Sequence, residues 1–374
     1  MTMPNVLYNG PGNWPDADKL MANYNYLENL AVGNTTFKNR LINGAMKIDQ
    51  RNAGASVTQN TTGVYPADRW LLLGNVASKL TGQKIVGSSP PPGFDSYIKI
   101  TSASAYSAGA GEYFTLSQAI EGFNICDFCF GSVSAKYLTL SFLVRSSLTG
   151  NFSGSIQNSG HTRSYPFQYS ISAANTWEYK TVTFSGEQTG TWLTDNGAGL
   201  LLIFDMGSGT NYLGGGIGWN VNDYRGISGS VPLVGTNAAT WSLTGVQLEV
   251  GTLATSFETR DIGRELDLCR RYYEKSYDQG TIPGTATPAS GISFRANGTS
   301  HIHDVALRVI KRANPTVTLY SSSTGSSGAW RDTDNNADRT AGADYIGDNR
   351  FRVGLTATVN TASMCGHFTA SAEL

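Results

Sequence analysis

Tyr137-Leu138-Thr139-Leu140-Ser141-Phe142-Leu143-Val144-Arg145 is the stretch that decides the fold class. Leu138, Leu140, Phe142 and Val144 fall on one face of an extended chain, and Thr139 and Ser141 on the other. That period of two is the mark of a strand with one side in a core. Tyr97 to Thr101, Glu178 to Ser185 and Leu243 to Val250 also read as strands. Leu200 to Phe204 is apolar on both faces, as expected of a strand in the middle of a sandwich. Pro90-Pro91-Pro92-Gly93, Asn158-Ser159-Gly160, Asp195-Asn196-Gly197 and Gly207-Ser208-Gly209 separate these runs as turns. Many strands with no helical pattern between them predict a β-sandwich or jelly roll over residues 39–260.

Downstream, Ile262 to Leu268 reads as a short helical turn. Strands are expected again at Val305 to Ile310, Thr316 to Tyr320, Arg350 to Val359 and Gly366 to Ala370, the third with five cleanly alternating positions. Ser321 to Asp348, polar and Gly-rich, reads as a long exposed loop or a wide hairpin. Residues 261–374 are therefore expected to form a smaller β-domain. Upstream, in residues 1–38, Asp16 to Val32 carries Leu20, Tyr24, Leu27 and Ala31 on one helical stripe, with Pro15 and Asp16 at its start and Gly33 at its end. About two heptads cannot stand alone as a coiled coil. The helix is either a docking element or an ordinary helix packed on its own domain. The expected fold is all-β: a jelly-roll sandwich plus a smaller C-terminal β-domain, preceded by a short N-terminal helix.

The composition agrees. Of 374 residues only 15% are charged, against about 25% in an ordinary soluble protein, and 43 are Gly. Gly, Ser, Thr and Asn disfavour long helices. A net charge of −1 offers no basic surplus to displace counterions from phosphates, so nucleic acid is not an expected partner. No apolar run approaches the ~20 residues of a membrane helix, so membrane insertion is not expected either. Four cysteines are too few for a disulfide framework, and Met1 to Asp16 does not read as a secretory signal, so reduced thiols in a cytosol are expected.

Catalytic patterns are missing. There are four histidines, no Gly-x-Ser-x-Gly elbow, no Walker or dinucleotide fingerprint, and no expected cofactor. Cys126 and Cys129 have metal-like spacing but apolar neighbours in Ile125, Phe128 and Phe130, which reads as buried thiols rather than a metal site. His301-x-His303 would point two imidazoles to one face of a strand, and a three-fold axis would gather six. The other reading is two surface histidines in a turn. Glu178 with Asp195 or Asp205 could supply a glycosidase pair, though no motif selects one. The aromatics carry more. Trp177, Trp192, Tyr212, Trp219 and Tyr224 sit among polar, Gly- or Asn-rich residues, where a flat ring can stack on a sugar or pack on a turn. Trp70 and Trp241 read as core.

Several strings resemble a recurring family of bacteriophage tail fibre and receptor-binding proteins. They are Leu41-Ile42-Asn43-Gly44-Ala45-Met46-Lys47-Ile48, Tyr65-Pro66-Ala67-Asp68-Arg69-Trp70, Gly245-Val246-Gln247-Leu248-Glu249-Val250-Gly251 and Phe257-Glu258-Thr259-Arg260. Glu265 to Tyr273, Arg312 to Thr318 and His367 to Leu374 continue the resemblance. It implies a jelly roll similar to carbohydrate-binding modules on a homotrimeric virion appendage assembled in the bacterial cytoplasm. Its N-terminal segment would attach to other virion proteins, and its β-domains would bind host cell-surface polysaccharide. In related sugar-binding modules the opening Asn-Gly segment and the closing Leu-Glu strand can hold a structural calcium. Asn43 and Glu249 match those positions, whereas Ala45 stands where an acidic residue is common.

Overall fold

The computed structural model describes residues 37–297, 301–355 and 361–374. Leu20, Tyr24, Leu27 and Ala31, with the whole expected N-terminal helix, lie outside the described residues. The sandwich strands in chain order are β1 (Val57–Thr58), β2 (Val64–Ala67), β3 (Trp70–Gly74), β4 (Leu80–Val86), β5 (Ser96–Ser102), β6 (Phe114–Glu121), β7 (Leu138–Ser146), β8 (Gly150–Gln157), β9 (Ser164–Ile171), β10 (Glu178–Phe184), β11 (Ala198–Asp205), β12 (Leu213–Gly214), β13 (Gly226–Ile227) and β14 (Thr240–Val250). One sheet has the order β1-β4-β5-β14-β7-β10 and the other β2-β3-β6-β11-β8-β9, both antiparallel, which is a jelly-roll sandwich. β12 and β13 form a small parallel pair beside it.

The alternation of β7 does what the sequence predicts. Leu138, Leu140, Phe142 and Val144 are fully buried. Phe142 meets Phe204 of β11 and Tyr169 of β9 edge to face at 5.2 and 5.1 Å, a favoured aromatic geometry. Trp70 and Trp241 are fully buried, and Trp241 Nε1 donates to Tyr169 Oη at 3.2 Å, which satisfies the indole inside the core. Gly245 in β14 has φ +63° and sits where the register with β7 shifts, a bulge that moves the side-chain alternation by one.

Cys126 and Cys129 differ from expectation. Two 3₁₀ turns, Gly122–Asn124 and Cys126–Phe128, turn Ile125 and Phe128 into the core, leaving Cys126 exposed and Cys129 half-exposed. The apolar neighbours are buried, not the thiols.

After the sandwich, Asp261 caps helix α1 (Ile262–Arg270), its carboxylate accepting from the Gly263 and Arg264 amides. Then follow β15 (Tyr273–Lys275), β16 (Ile292–Asn297), β17 (His301–Ala306), β18 (Thr316–Ser321), β19 (Ala329–Asp332), β20 (Ala337–Asp344), β21 (Arg350–Leu355) and β22 (Thr361–Ser371). β22 is the spine: β15 and β16 pair along it, as do β18 and β19. Ser321 to Asp348 is a paired hairpin rather than a loop, because Trp330 on β19 is fully buried. The strand expected at Val305 to Ile310 instead occupies His301–Ala306. The chain turns after it so that the Lys311 ammonium can reach Glu274 Oε2 and the Arg270 carbonyl, both at 2.6 Å, inside the protein. His301 and His303 are therefore on a strand. His303 pairs with Val353 and stacks on Phe294 at 4.6 Å.

Buried charge joins the two parts. Glu121, at the end of β6 and 1% exposed, accepts from Arg271 on both oxygens and from Tyr272 Oη at 2.7 Å. Glu373 takes Arg51 and Arg69, whose guanidiniums lie 3.6 Å over the Tyr273 and Tyr272 rings. The Arg271-Tyr272-Tyr273 and Asp68-Arg69 strings are thus the two sides of one joint. Among the described residues no helix is long and apolar enough to cross a membrane.

Candidate functional site

The outer face of the second sheet is covered. Its β6 end carries the Glu121 joint, and the excursion through β12 and β13 lies over β8, where Gln157 Nε2 bonds Asp223 and the Tyr224 carbonyl. The outer face of the first sheet is more open. Register places Gln83, Lys99, Ser242 and Arg145 in a row from β4 through β5 and β14 to β7, with Trp177 just before β10 at its end. At about 4.8 Å per strand this row is about 19 Å long, oligosaccharide scale.

Trp177 is held rather than free. Its Nε1 donates to the Ser89 carbonyl at 2.9 Å, and its edge meets Tyr97 at 5.2 Å. The Arg145 guanidinium lies 4.8 Å from the Trp177 ring and donates from Nη2 to Tyr97 Oη at 3.0 Å. The ring is half-buried, and Tyr179, two residues on and facing the same way, is 55% exposed. A ring with a negative π-face attracts the slightly positive C–H face of a sugar, while Lys99, Gln83 and Arg145 can bond hydroxyls. Sequence reading missed Tyr97, Lys99, Arg145 and Tyr179. The available signal was the polar half of each alternating strand, since Arg145 closes the very stretch that set the fold.

The other aromatics do not join Trp177. Trp192 is only 8% exposed, packed edge-on against Phe130 at 4.8 Å and Trp219 at 5.7 Å, with Nε1 donating to the Thr189 carbonyl. It is a packing residue, which corrects its reading as a stacking ring. Trp219 is half-buried in the same cluster against Tyr165, its Nε1 on the Ser185 carbonyl at 2.8 Å. Tyr212 meets Tyr113 at 5.2 Å beside the Arg225 guanidinium, and the Tyr224 hydroxyl accepts from Asn222.

The carboxylates are dispersed as well. Glu178 is on β10 in the first sheet, accepting from the Ser172 and Ala173 amides and from Lys180. Asp205 is on β11 in the second, buried, with its pKa pushed up to about 6 by that burial. Asp195 caps the Gly197 amide.

The implied calcium does not fit. Asn43 spends its side chain on the Ile48 and Asp68 backbone, and Glu249 spends its own on Thr255 and Gln247. Asn43 and Ala45 line a small pocket with Glu258, Arg260 and Glu265, whereas Glu249 does not. Arg260 supplies a cation in that pocket. It donates to the Leu41 carbonyl at 3.0 Å and to the Asn39 carbonyl, and faces Glu258 Oε2 at 3.2 Å and Glu265 Oε2 at 3.5 Å.

No protein-family model and no curated protein matches this sequence. Solved structures share a likeness of fold with it. The enzymatically active domain of tailspike protein 4 of bacteriophage CBA120 is similar over 57% of this chain and 21% of its own, at 13% identity and a TM-score of 0.31. The chain thus spans about a fifth of that tailspike's length. The family 11 carbohydrate-binding module of Clostridium thermocellum, solved with a β-1,3-1,4-mixed-linked tetrasaccharide, is similar over 54% of this chain and 98% of its own (11% identity, TM-score 0.26). The N-terminal cellulose-binding domain of Cellulomonas fimi β-1,4-glucanase C is similar over 47% and 91% (15% identity, TM-score 0.25). None of these likenesses gives a residue of this chain a role.

Proposed function

We propose that this chain is a non-enzymatic phage virion protein, a homotrimeric tail fibre or adaptor, whose N-terminal segment attaches it to the particle and whose sandwich binds host surface glycan. The observation that carries the binding half is the first sheet's outer face, where Trp177, Arg145 and Tyr97 are fixed beside exposed Tyr179 and a polar row. The virion half rests on the tail-fibre strings, which fall at strand ends and at the joint between the two β-parts. Binding is weak per site and strengthened by three copies. Full-length protein on an array of bacterial surface polysaccharides tests the binding. Light scattering tests the trimer, with a mass near three times 40.0 kDa expected and one near 40.0 kDa against it.

A second reading, a structural decoration or connector without a receptor, is favoured by the packing of Trp192 and of Tyr212, Trp219 and Tyr224 against protein neighbours. Silence across the array would favour it. A depolymerase needs a carboxylate pair in a groove, and the separation of Glu178 and Asp205 on opposite sheets supports the non-enzymatic reading. Release of reducing ends from a bound polysaccharide would overturn it.

A further inference from the structure

The C-terminal sheet has an open groove of about 770 Å³ on its β17–β21 side, within the size range of small-molecule sites. Register builds its floor. Asp344 of β20, Arg352 of β21 and Asp304 of β17 are direct neighbours across three strands, turned away from the core that holds Val305, Phe351 and Val353. Gly342 and Gly354 lie side by side in the row two residues along, and among the described residues a Cβ on Gly342 would meet no neighbour within 4 Å, so no described side chain covers that strip of backbone.

Tyr345 forms one wall. It is 77% exposed and has φ +46°, a left-handed conformation that is an outlier for a bulky residue. The surroundings hold it there. Arg352 lies 4.0 Å from the ring centroid and is itself fixed by two 2.7 Å bonds to Asp344. The turn that follows is pinned by the Gly347 amide on the Arg350 carbonyl, the Leu307 amide on the Asn349 carbonyl and the Lys311 amide on the Asp348 carbonyl. A rigid aromatic ring is thus kept out of the core and turned to solvent. Asp304, Asn349 and Arg350, all exposed, line the same groove, and none has a side-chain partner among the described residues. Strain of this kind gathers at ligand sites, where the fold over-determines it.

We propose that this groove is a second carbohydrate subsite, separate from the sandwich face. One sugar ring lays its C–H face on Tyr345, and its hydroxyls bond the Asp304 carboxylate, the Asn349 amide and the Arg350 guanidinium. The assignment rests on the glycan-binding reading above. A peptide would need a row of apolar pockets, whereas this groove offers one ring face ringed by polar groups. Two weak subsites on one chain raise the apparent affinity for a long polymer far more than for a short fragment.

The test uses full-length protein and the array polysaccharide that gives the strongest wild-type signal. Tyr345→Ala is expected to weaken binding at least tenfold, with a thermal midpoint close to wild type because the side chain is 77% exposed. Asp304→Asn, nearly isosteric and exposed, is the second variant and is expected to weaken binding severalfold even where Tyr345→Ala disturbs the turn. Trp177→Ala serves as the control for the sandwich face. Loss with Trp177→Ala but unchanged binding in both groove variants overturns the subsite and leaves the glycan reading standing. No wild-type binding to any polysaccharide overturns the glycan reading itself, and the subsite with it.

Discussion

Replacing Arg260 with Ala tests the claim that a guanidinium, rather than a metal, ties the opening segment of the sandwich to the chain after β14. The Arg260 side chain is 5% exposed and gathers four oxygens: the Asn39 and Leu41 carbonyls and the Glu258 and Glu265 carboxylates. Those oxygens belong to the opening segment and to the chain after β14, so Arg260 ties the start of the sandwich to its end. Its removal leaves two carboxylates facing each other without a cation and strips two carbonyls of a donor. Breaking a buried pair of this kind costs about 3–5 kcal/mol. At about 2–4 °C per kcal/mol for a domain of this size, the midpoint should fall on the order of 10 °C. Arg260→Lys should recover only part of it, since a point charge cannot span four separated oxygens. Calorimetry with and without a chelator measures both halves: wild type should melt identically with EDTA and with calcium. A wild-type midpoint that falls with EDTA would show a bound metal instead, and an Arg260→Ala midpoint within about 2 °C of wild type would show that Arg260 ties nothing together.

Asp205 gives a pH signature. Its folded pKa is raised to about 6 by burial, so it favours the folded state while protonated. That contribution is complete below about pH 4 and is lost as pH rises to about 6, roughly 3 kcal/mol in all. Asp205→Asn keeps an acceptor for the Gly207 amide and the Ser208 hydroxyl, and should flatten the stability profile in that window. Denaturant melts at several pH values would show it, and an unchanged slope would contradict the burial argument. Glu121→Gln at the joint should cost about 3 kcal/mol, because it leaves Arg271 without its carboxylate. The Glu373 pairs with Arg51 and Arg69 still hold the joint, so one transition lowered by about 6–12 °C is expected rather than two. An unshifted transition would mean that the Glu121 pair contributes nothing to the joint.

The sandwich was legible because strand alternation is local: Leu138, Leu140, Phe142 and Val144 show their face within seven residues. What stayed hidden depends on contacts between distant segments. Trp192 in its polar loop gives no sign of Phe130 and Trp219, which bury it. Lys311 reads as a surface lysine until Glu274 is brought to it, and that pairing ends the preceding strand earlier than its apolar pattern suggests. The Asp344–Arg352–Asp304 row exists only once three strands take their register, and Tyr345 gains its exposure from a backbone conformation that no residue pattern announces. On the sandwich face, Trp177 was readable as an aromatic in polar surroundings. Its setting came from Ser89, Tyr97 and Arg145, from three other parts of the chain.

Whether the sandwich binds glycan through Trp177 is decided by comparing wild type and Trp177→Ala, both full-length, on one array of bacterial surface polysaccharides. Trp177 is half-buried at a sheet margin, so its loss should leave the fold intact while removing the ring beside Arg145. Wild type should bind at least one polysaccharide, and the variant should lose tenfold or more of that binding with an unchanged circular dichroism spectrum. Equal binding by the two proteins, or no binding by wild type, would contradict glycan binding through Trp177.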